Sequence, residues 1–373
     1  MQTTRLTTKP HYPILDGLRG VAAVMVVSFH LFEAHSTSHL DQIINHGYLA
    51  VDFFFVLSGF VVGYAYDDRW GKMSVSDFFR RRLIRLQPMV IMGMIVGAFC
   101  FYFQDSTLWP TIHQVPVWKM LLVMLIGFTL IPVPPSMDIR GWNEMHPLDG
   151  PGWSLFFEYI ANILYGLFIR KFSKKALSVL VFIAGFALIY LAVTSVNGDI
   201  IGGWSIEPAQ LRIGFTRLMY PFFAGLLLSR IVKPIQVKHA FLWCSLLIVI
   251  VLAMPRIGGS EHLWMNGLYE SLTIIFIFPL IVFLGASGEV KGKFISRICK
   301  FFGDISYPLY ITHYPLIYIY TAWVYNHKVP LSKGLPVALL VLVSAIVIAY
   351  ACLKLYDEPI RLWLNKKVLL KNK

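Results

Sequence analysis

Residues 47–66 read GYLAVDFFFVLSGFVVGYAY, a run of twenty residues in which Asp52 carries the only charge. About 20 consecutive apolar residues are enough for a helix to cross the hydrocarbon core of a bilayer. A charged residue within such a run is costly in lipid and marks a functional or structural partner. The stretch therefore predicts a membrane-spanning helix that carries one buried carboxylate.

The rest of the chain repeats this apolar pattern. Of its 373 residues, 57% are hydrophobic and 14% are charged, whereas soluble domains carry about 25% charged residues. We therefore predict an all-α, polytopic transmembrane helix bundle. Eleven apolar stretches are long enough, or nearly long enough, to span a bilayer: 14–33, 47–66, 87–104, 118–134, 152–170, 176–196, 211–229, 239–254, 267–285, 302–324 and 336–355.

The distribution of basic residues predicts the topology. Lys and Arg cluster near the N-terminus, in 69–85, in 170–175, in 230–238, in 291–300 and from Lys354 onwards. The positive-inside rule assigns all of these regions, and both termini, to the cytoplasm. The basic charge therefore indicates topology in the first place, and nucleic-acid binding is a poor second explanation.

This assignment requires an even number of crossings between Arg85 and Arg170, yet three apolar stretches lie there. One of them must be partial or re-entrant. The proline-rich part, 135–158, is the best candidate, because irregular backbone at membrane depth is tolerated only where protein or a wet cavity surrounds it. We expect about ten crossings and one partial segment.

The chain reads as one integral-membrane domain, 1–373, with a short N-terminal segment, 1–13, and a basic tail, 362–373. We expect no fused soluble domain and no cleaved signal peptide, since no cleavage site follows the first apolar run. The four cysteines have no metal-ligand spacing, and we expect small buried hydrophobes and no metal site. The expected location is a bacterial inner membrane.

The first apolar stretch contains Asp16, Arg19, His30 and Glu33. Arg19 and His30 are eleven positions apart, nearly three full turns, so they project from one helix face. Asp16 with Arg19, and His30 with Glu33, have the i,i+3 spacing of contacting pairs. Taken singly, Arg19 could be a snorkelling anchor and His30 a hydrogen-bonded core residue, but neither interpretation explains the shared face.

In the second stretch, Asp52 is a candidate to orient a histidine or to pair with an arginine, and a purely structural ion pair is an equal alternative. Ser58 and Gly59 are small enough to let another helix backbone approach closely.

Arg81, Arg82 and Arg85 precede Pro88. At the start of a helix they would form a compact phosphate-binding cluster, although a topology signal alone explains them more simply.

Further ionisable and polar residues lie in the later stretches. Trp153, Ser154 and Glu158 follow the proline-rich segment, and Glu158 is a candidate buried carboxylate. Tyr307, Tyr310 and His313 share one apolar stretch, with Asp304 as a possible cap of its helix. Glu358 and Arg361 end the last stretch, where an ion pair is the simplest explanation.

Together these motifs resemble the membrane-bound acyltransferase-3 family of bacterial O-acyltransferases, from Leu15 to Arg361. The resemblance rests on Arg19 and His30 within 15–30, on 51–60, on the Arg81-Arg82-x-x-Arg85 cluster, and on the later motifs in the same order. It implies a ten-helix bundle, an essential Arg19–His30 pair and an acyl donor, usually acetyl-CoA, that approaches from the cytoplasm.

The predicted activity is transfer of an acyl group, expected to be acetyl, from acyl-CoA to a hydroxyl of an envelope or surface glycan. His30 would be the general base, Arg19 the stabilising cation, and Asp52 and Glu158 further catalytic residues. The arginine cluster would hold the CoA phosphates. We expect no permanently bound cofactor. The partners would be acyl-CoA, a carbohydrate or other hydroxyl acceptor and the lipid bilayer, with no nucleic acid. The supporting residues are Asp16, Glu33, Ser58, Trp153, Ser154, Tyr307, Tyr310, His313, Glu358 and Arg361.

Two other functions remain open at this point. A secondary transporter explains intramembrane charges equally well, but it predicts two repeated halves, which the sequence lacks, and it has no use for the arginine cluster. A membrane subunit of glycan assembly predicts that replacing His30 with alanine leaves cellular function intact.

Overall fold

The computed structural model describes residue 9, residues 11–233 and residues 235–369. Over these residues it is built from helices and contains no β-strand, which confirms the all-α class. The helices are α1 Pro13–Glu33, α2 Ala50–Tyr66, α3 Val75–Cys100, α4 Val117–Gly127, α5 Gly152–Leu167, α6 Lys174–Thr194, α7 Pro208–Ile231, α8 Ala240–Ala253, α9 Leu263–Leu272, α10 Phe278–Ser287, α11 Lys293–Thr312, α12 Tyr314–His327, α13 Leu331–Cys352 and α14 Glu358–Leu364.

Within the described residues, seven helical segments are long and apolar enough to cross a membrane. Two of them join consecutive helices through a wider, π-helical turn, α9 with α10 and α13 with α14. The shorter α4 and α8 are apolar as well. The segments are Pro13–Glu33, Gly47–Tyr66, Val75–Gln104, Lys174–Thr194, Pro208–Ile231, Leu263–Ser287 and Leu331–Val368. The ten-crossing topology and the side of the termini stay predictions.

The irregular segment predicted at 135–158 lies instead at 128–151, between α4 and α5. A single 3₁₀ turn, Pro135–Met137, interrupts it. Its prolines lack the N–H that helix propagation needs. Pro151 ends the irregular stretch because proline is tolerated at a helix start, and it is the N-cap of α5. Glu158 therefore lies on a regular helix, which corrects the sequence prediction.

The stretch predicted as one span at 302–324 is two helices that meet at His313. Pro315 has no N–H to bond back to α11, and the helix breaks just before it. At the end of the chain the predicted span is too short. The span predicted at 336–355 is part of a longer helical segment, Leu331–Val368, of 38 residues.

Helices α2 and α7 cross at a pair of glycines. A Cβ on Gly59 would overlap the carbonyl oxygen of Phe222, and a Cβ on Gly225 would overlap that of Val56. The backbones therefore touch directly, as small residues allow in membrane proteins. This confirms the close approach predicted at Gly59.

Helices α1 and α11 pack in the same way. A Cβ on Gly20 would overlap the backbone of Phe302, and a Cβ on Gly303 would lie 2.7 Å from the Cβ of Asp16. This contact fixes the position of α1, which carries Arg19 and His30, against α11, which carries Tyr307 and Tyr310.

We expect Gly59→Ala to destabilise the protein by about 1–3 kcal/mol, because the added methyl forces α2 and α7 apart. The measurement is the apparent melting temperature in detergent, followed by size-exclusion chromatography. Gly71→Ala is the matched control, since a Cβ there has no atom within 4 Å. Equal melting temperatures for the two variants would contradict the role assigned to Gly59.

Candidate active site

A cavity of about 570 Å³ lies at the Arg19 end of the bundle. Helices α1, α2, α3, α5, α11 and α14 contribute to its wall, together with the turn between α13 and α14. Eleven of the residues predicted to act in or support the site line it, although they are spread over most of the chain. They are Asp16, Arg19, Ser58, Arg82, Arg85, Ser154, Glu158, Tyr307, Tyr310, Glu358 and Arg361.

Arg19 is held in the cavity wall by three polar contacts. Its Nε donates to Ser306 Oγ at 2.7 Å, and its Nη2 donates to the Gly303 carbonyl at 3.3 Å. The same Nη2 lies 3.3 Å from Asp16 Oδ1. Arg19 is therefore a fixed cation that joins α1 to α11, and not a snorkelling side chain free at the bundle surface.

Glu158 lines the same cavity, and an ion pair balances its negative charge. Arg82 donates to its Oε1 at 2.6 Å, and Ser58 donates to the same oxygen at 2.7 Å. Both partners of this ion pair are largely buried. The structure thus places Glu158 with Arg82, and away from His30.

Arg85 has no carboxylate within ion-pair distance among the described residues. Its side chain is exposed to the cavity. It also lines a second, adjoining cavity of about 460 Å³, together with Arg69, Arg81 and Arg361. Arg85, Glu358 and Arg361 belong to both walls. The Nε atoms of Arg81 and Arg361 are buried without a hydrogen-bond partner. The two cavities therefore share a cationic boundary suited to an anionic ligand.

His30 lies beyond the inner end of the cavity. Its Nδ1 is 2.7 Å from Glu33 Oε2, and its ring lies 5.9 Å from the ring of His313 and 4.7 Å from that of Tyr314. Glu33, and neither Asp52 nor Glu158, is the carboxylate that orients it. Arg19 and His30 share a helix face as predicted, but about 16 Å of helix separates them.

Tyr310 stands between the cavity and the two histidines. Its hydroxyl is hydrogen-bonded to Ser154 Oγ at 2.7 Å, and Phe54 packs edge-on against its ring at 5.3 Å. On its other side the His313 ring is 6.0 Å away. A ligand arm that reaches Tyr310 is thus one side chain away from the histidine pair.

Asp52 is buried in an ion pair with Arg217, a residue that the sequence analysis did not single out. Arg217 donates to both carboxylate oxygens, at 3.2 and 2.7 Å, and to the Tyr48 carbonyl at 3.0 Å. The Trp153 ring covers its guanidinium at 5.1 Å. Asp52 was predicted either to orient a histidine or to pair with an arginine, and in the structure it pairs with an arginine. Arg217 could have been found as the one charge deep in the stretch 211–229.

A second buried polar cluster was missed because its members lie in different stretches. Glu270 accepts from Tyr48 and from Asn266, and Asn266 contacts His46 at 3.0 Å. These groups link the start of α2 to α9.

A third cluster ties the irregular segment to α12. Arg140 lies 3.5 Å from Glu144 and stacks 3.5 Å from the Tyr318 ring centroid, while Tyr318 donates to Glu144 at 2.9 Å. Burial raises the pKa of the Glu144 carboxyl to about 7. The charges in the segment 128–151 were the only sequence signal of this cluster.

The ion pairs at the end of the chain differ from those expected. Arg361 pairs with Asp357 at 3.0 Å, and Glu358 pairs with Lys354 at 2.5 Å. Both pairs have i,i+4 spacing, which places side chains on one helix face. Asp304 does not cap a helix, because α11 begins at Lys293.

A family model described as an acyltransferase domain, that of the acyltransferase-3 family, matches residues 12–354. "Protein 2 in picA locus" of Rhizobium radiobacter is 29% identical over 169 residues, which are 43% of this chain and 84% of that protein. No solved structure matches.

Two further relatives are longer proteins. "O-acetyltransferase OatA" of Staphylococcus aureus is 24% identical over 344 residues, 86% of this chain and 53% of the relative. "Putative O-acetyltransferase SACOL0978" of the same species is 23% identical over 353 residues, 88% of this chain and 54% of the relative. The chain thus spans about half the length of these two relatives.

We expect Asp52→Asn or Arg217→Gln alone to destabilise the protein by about 3–5 kcal/mol, because each leaves an uncompensated buried charge. The double variant should recover part of that loss, which a double-mutant cycle on detergent melting measures. Asp304→Asn, at an exposed ion pair with Lys300, should change stability by less than about 1 kcal/mol. Additive losses in the double variant would show that the two side chains are not coupled.

Proposed function

The chain belongs to the acyltransferase-3 family and is an acyltransferase, and we propose that it moves an acetyl group from cytoplasmic acetyl-CoA to a hydroxyl of an envelope glycan. The printed names of two relatives, O-acetyltransferases, support acetyl as the group and oxygen as the acceptor atom. The apolar helices support a membrane location, which we propose to be a bacterial inner membrane.

The main support for this proposal is the arrangement of the site. Arginines line the cavity near one end of α1, and His30 lies beyond the opposite end of the cavity. CoA has a highly anionic head and a long, narrow arm that ends in the thioester. Arg81, Arg85 and Arg361 line the adjoining cavities, and guanidinium groups are the preferred partners of phosphate. In our proposal they hold the CoA head, and the pantetheine arm runs along the 570 Å³ cavity towards Tyr310.

The arginines contribute unequally in this scheme. The positive charge of Arg82 is balanced by Glu158. In this scheme Arg82 therefore holds α3 against α5 and contributes little to phosphate binding. Arg19 is fixed by Ser306 and Asp16. It offers a positioned cation to the donor along its path, and it lies too far from His30 along α1 to act on the same atom.

His30 is the proposed general base. Glu33 accepts the hydrogen bond from Nδ1, which leaves Nε2 unprotonated and stabilises the imidazolium that forms when Nε2 takes a proton. The acceptor hydroxyl loses its proton to His30 and attacks the thioester carbonyl, and CoA leaves as the thiolate. An imidazole suits this task because one ring nitrogen can donate a hydrogen bond while the other accepts the proton.

The two ends of α1 correspond to the two sides of the membrane in this proposal. The basic clusters at the Arg19 end indicate the cytoplasm under the positive-inside rule, so donor binding occurs there. Glu33, at the other end, is partly exposed, and an acceptor can reach it from outside.

We expect Arg85→Ala to weaken acetyl-CoA binding by about 10- to 100-fold, the effect of losing a charge-assisted hydrogen bond of about 1.5–3 kcal/mol. Isothermal titration of the purified protein in nanodiscs measures this. Arg80→Ala is the matched control: it removes an exposed arginine of the same helix that lines neither cavity. If wild type binds no acyl-CoA, the donor assignment is wrong and transport in proteoliposomes should be tested next.

We expect His30→Ala to bind acetyl-CoA as wild type does and to lose about 10²–10⁴-fold in turnover, the usual contribution of a general base. Release of free CoA thiol measures turnover. Glu33→Gln should lose less, because the imidazole keeps its position but not its charge partner. His262→Ala removes an exposed histidine as the control, and an active His30→Ala enzyme would remove His30 from the chemistry.

A further inference from the structure

The wall of the 570 Å³ cavity has two layers. Three helices, α2, α5 and α11, each line the cavity with two residues that are four positions apart. The pairs are Ser58 with Phe54, Glu158 with Ser154, and Ser306 with Tyr310. Four residues of α-helix rise by about 6 Å, so the two members of each pair lie at different depths. We call the first members the polar layer of the wall, and the second members the aromatic layer.

The polar layer is held together by two arginines. Arg82 donates to Glu158 Oε1 at 2.6 Å, and Ser58 donates to the same oxygen at 2.7 Å. Arg19 donates to Ser306 Oγ at 2.7 Å. Guanidinium groups donate hydrogen bonds and accept none. A ligand at this depth is therefore best matched where it presents an oxygen atom, such as the carbonyl oxygen of a thioester.

The aromatic layer, in contrast, leaves little polar surface for a ligand. Ser154 donates its only hydroxyl proton to the Pro151 carbonyl oxygen at 3.0 Å, so the Tyr310 hydroxyl donates to Ser154 Oγ, at 2.7 Å. The Phe54 ring packs edge-on against the Tyr310 ring, with 5.3 Å between the ring centroids. Both hydroxyl protons are thus used within the protein, and the two rings form an apolar surface.

The aromatic layer is also the inner end of the cavity. Among the described residues, α5 and α11 line the cavity no deeper than Ser154 and Tyr310, and α2 adds only Val51, which is apolar and buried. Packed protein interiors resist added methylenes, because the neighbouring side chains have little free space to move into. An acyl chain that extends beyond this layer must therefore displace the ring of Phe54 or of Tyr310.

We propose that Phe54 and Tyr310 limit the size of the acyl group, so that the protein binds acetyl-CoA and excludes donors with longer acyl chains. This inference rests on the proposed function, in which the pantetheine arm runs along the cavity towards Tyr310. The thioester carbonyl then lies at the polar layer and the methyl group lies against the two rings. The limit acts while the donor binds, before the acyl group meets an acceptor, and no bond forms or breaks in this step.

The test is a binding measurement, which needs no acceptor. Isothermal titration of the purified protein in nanodiscs gives Kd for free CoA, acetyl-CoA and butyryl-CoA, and empty nanodiscs give the blank. We expect wild type to bind butyryl-CoA about tenfold or more weakly than acetyl-CoA, because two further methylenes overfill a closed site. Free CoA, which has no acyl group, is the reference for binding of the head and arm alone.

Truncation of Phe54 should reverse this preference. We expect Phe54→Ala to bind butyryl-CoA at least as tightly as acetyl-CoA, since each methylene that enters the vacated space gains about fourfold in affinity. Phe54→Leu, a milder truncation that preserves an apolar side chain, should shift the preference in the same direction by a smaller factor. Phe99→Ala is the matched control: Phe99 is 79% exposed and lines neither cavity, so this variant should keep the wild-type preference.

Three outcomes overturn the inference. The first is a wild type that binds acetyl-CoA and butyryl-CoA equally well. The second is a folded Phe54→Ala or Phe54→Leu protein that keeps the wild-type ratio of the two dissociation constants. The third is a variant that weakens free CoA and both acyl-CoAs by one common factor, which is the mark of general damage to the site. Failure of the proposed function is recognised separately, because wild type then binds neither free CoA nor any acyl-CoA.

Discussion

The contact between α1 and α11 is the constraint on which the site depends. Glycines at 20 and 303 bring the two backbones together, and each end of the contact carries one part of the site. At one end Arg19 bonds to Ser306, and at the other His30 lies against His313. Because a packed core transmits displacement, a shift of α1 along α11 would disturb both parts together.

The second general feature is that several charges in the bundle have a partner of opposite charge. Asp52 has Arg217, Glu158 has Arg82 and Glu33 has His30. Isolated charges are too costly in a medium of low dielectric constant. Other groups have no such partner among the described residues: Arg85 has no carboxylate within ion-pair distance, and Asp149 Oδ1 and His313 Nε2 are buried without a hydrogen bond. Of these, Arg85 is the group that we assign to the acyl donor.

Sequence patterns predicted the helical class, the apolar spans and the residues that meet in the cavity, because apolar length and misplaced charges are local signals. They predicted the i,i+3 pairs Asp16–Arg19 and His30–Glu33, which the structure confirms, but not the pairs between residues far apart in the chain. Asp52 and Arg217 are 165 positions apart, and only the α2–α7 crossing brings them together. The helix break at His313 was missed although Pro315 was visible, since prolines inside membrane helices are often tolerated. Arg19 and His30 share a face, as their spacing required, but the length of α1 places them in different parts of the site.

The cavity wall also has an order of assembly. Its first residues lie in α1 or just before it, and its last, Glu358 and Arg361, belong to α14. Chains leave the ribosome from the N-terminus at about 5–20 residues per second, so α1 enters the membrane long before α14 is made. A chain interrupted before α14 has a gap in this wall, whatever the state of its other helices. Translation itself thus delays the enclosed cavity until nearly the whole protein has been synthesised, and unfinished copies in the membrane remain without it.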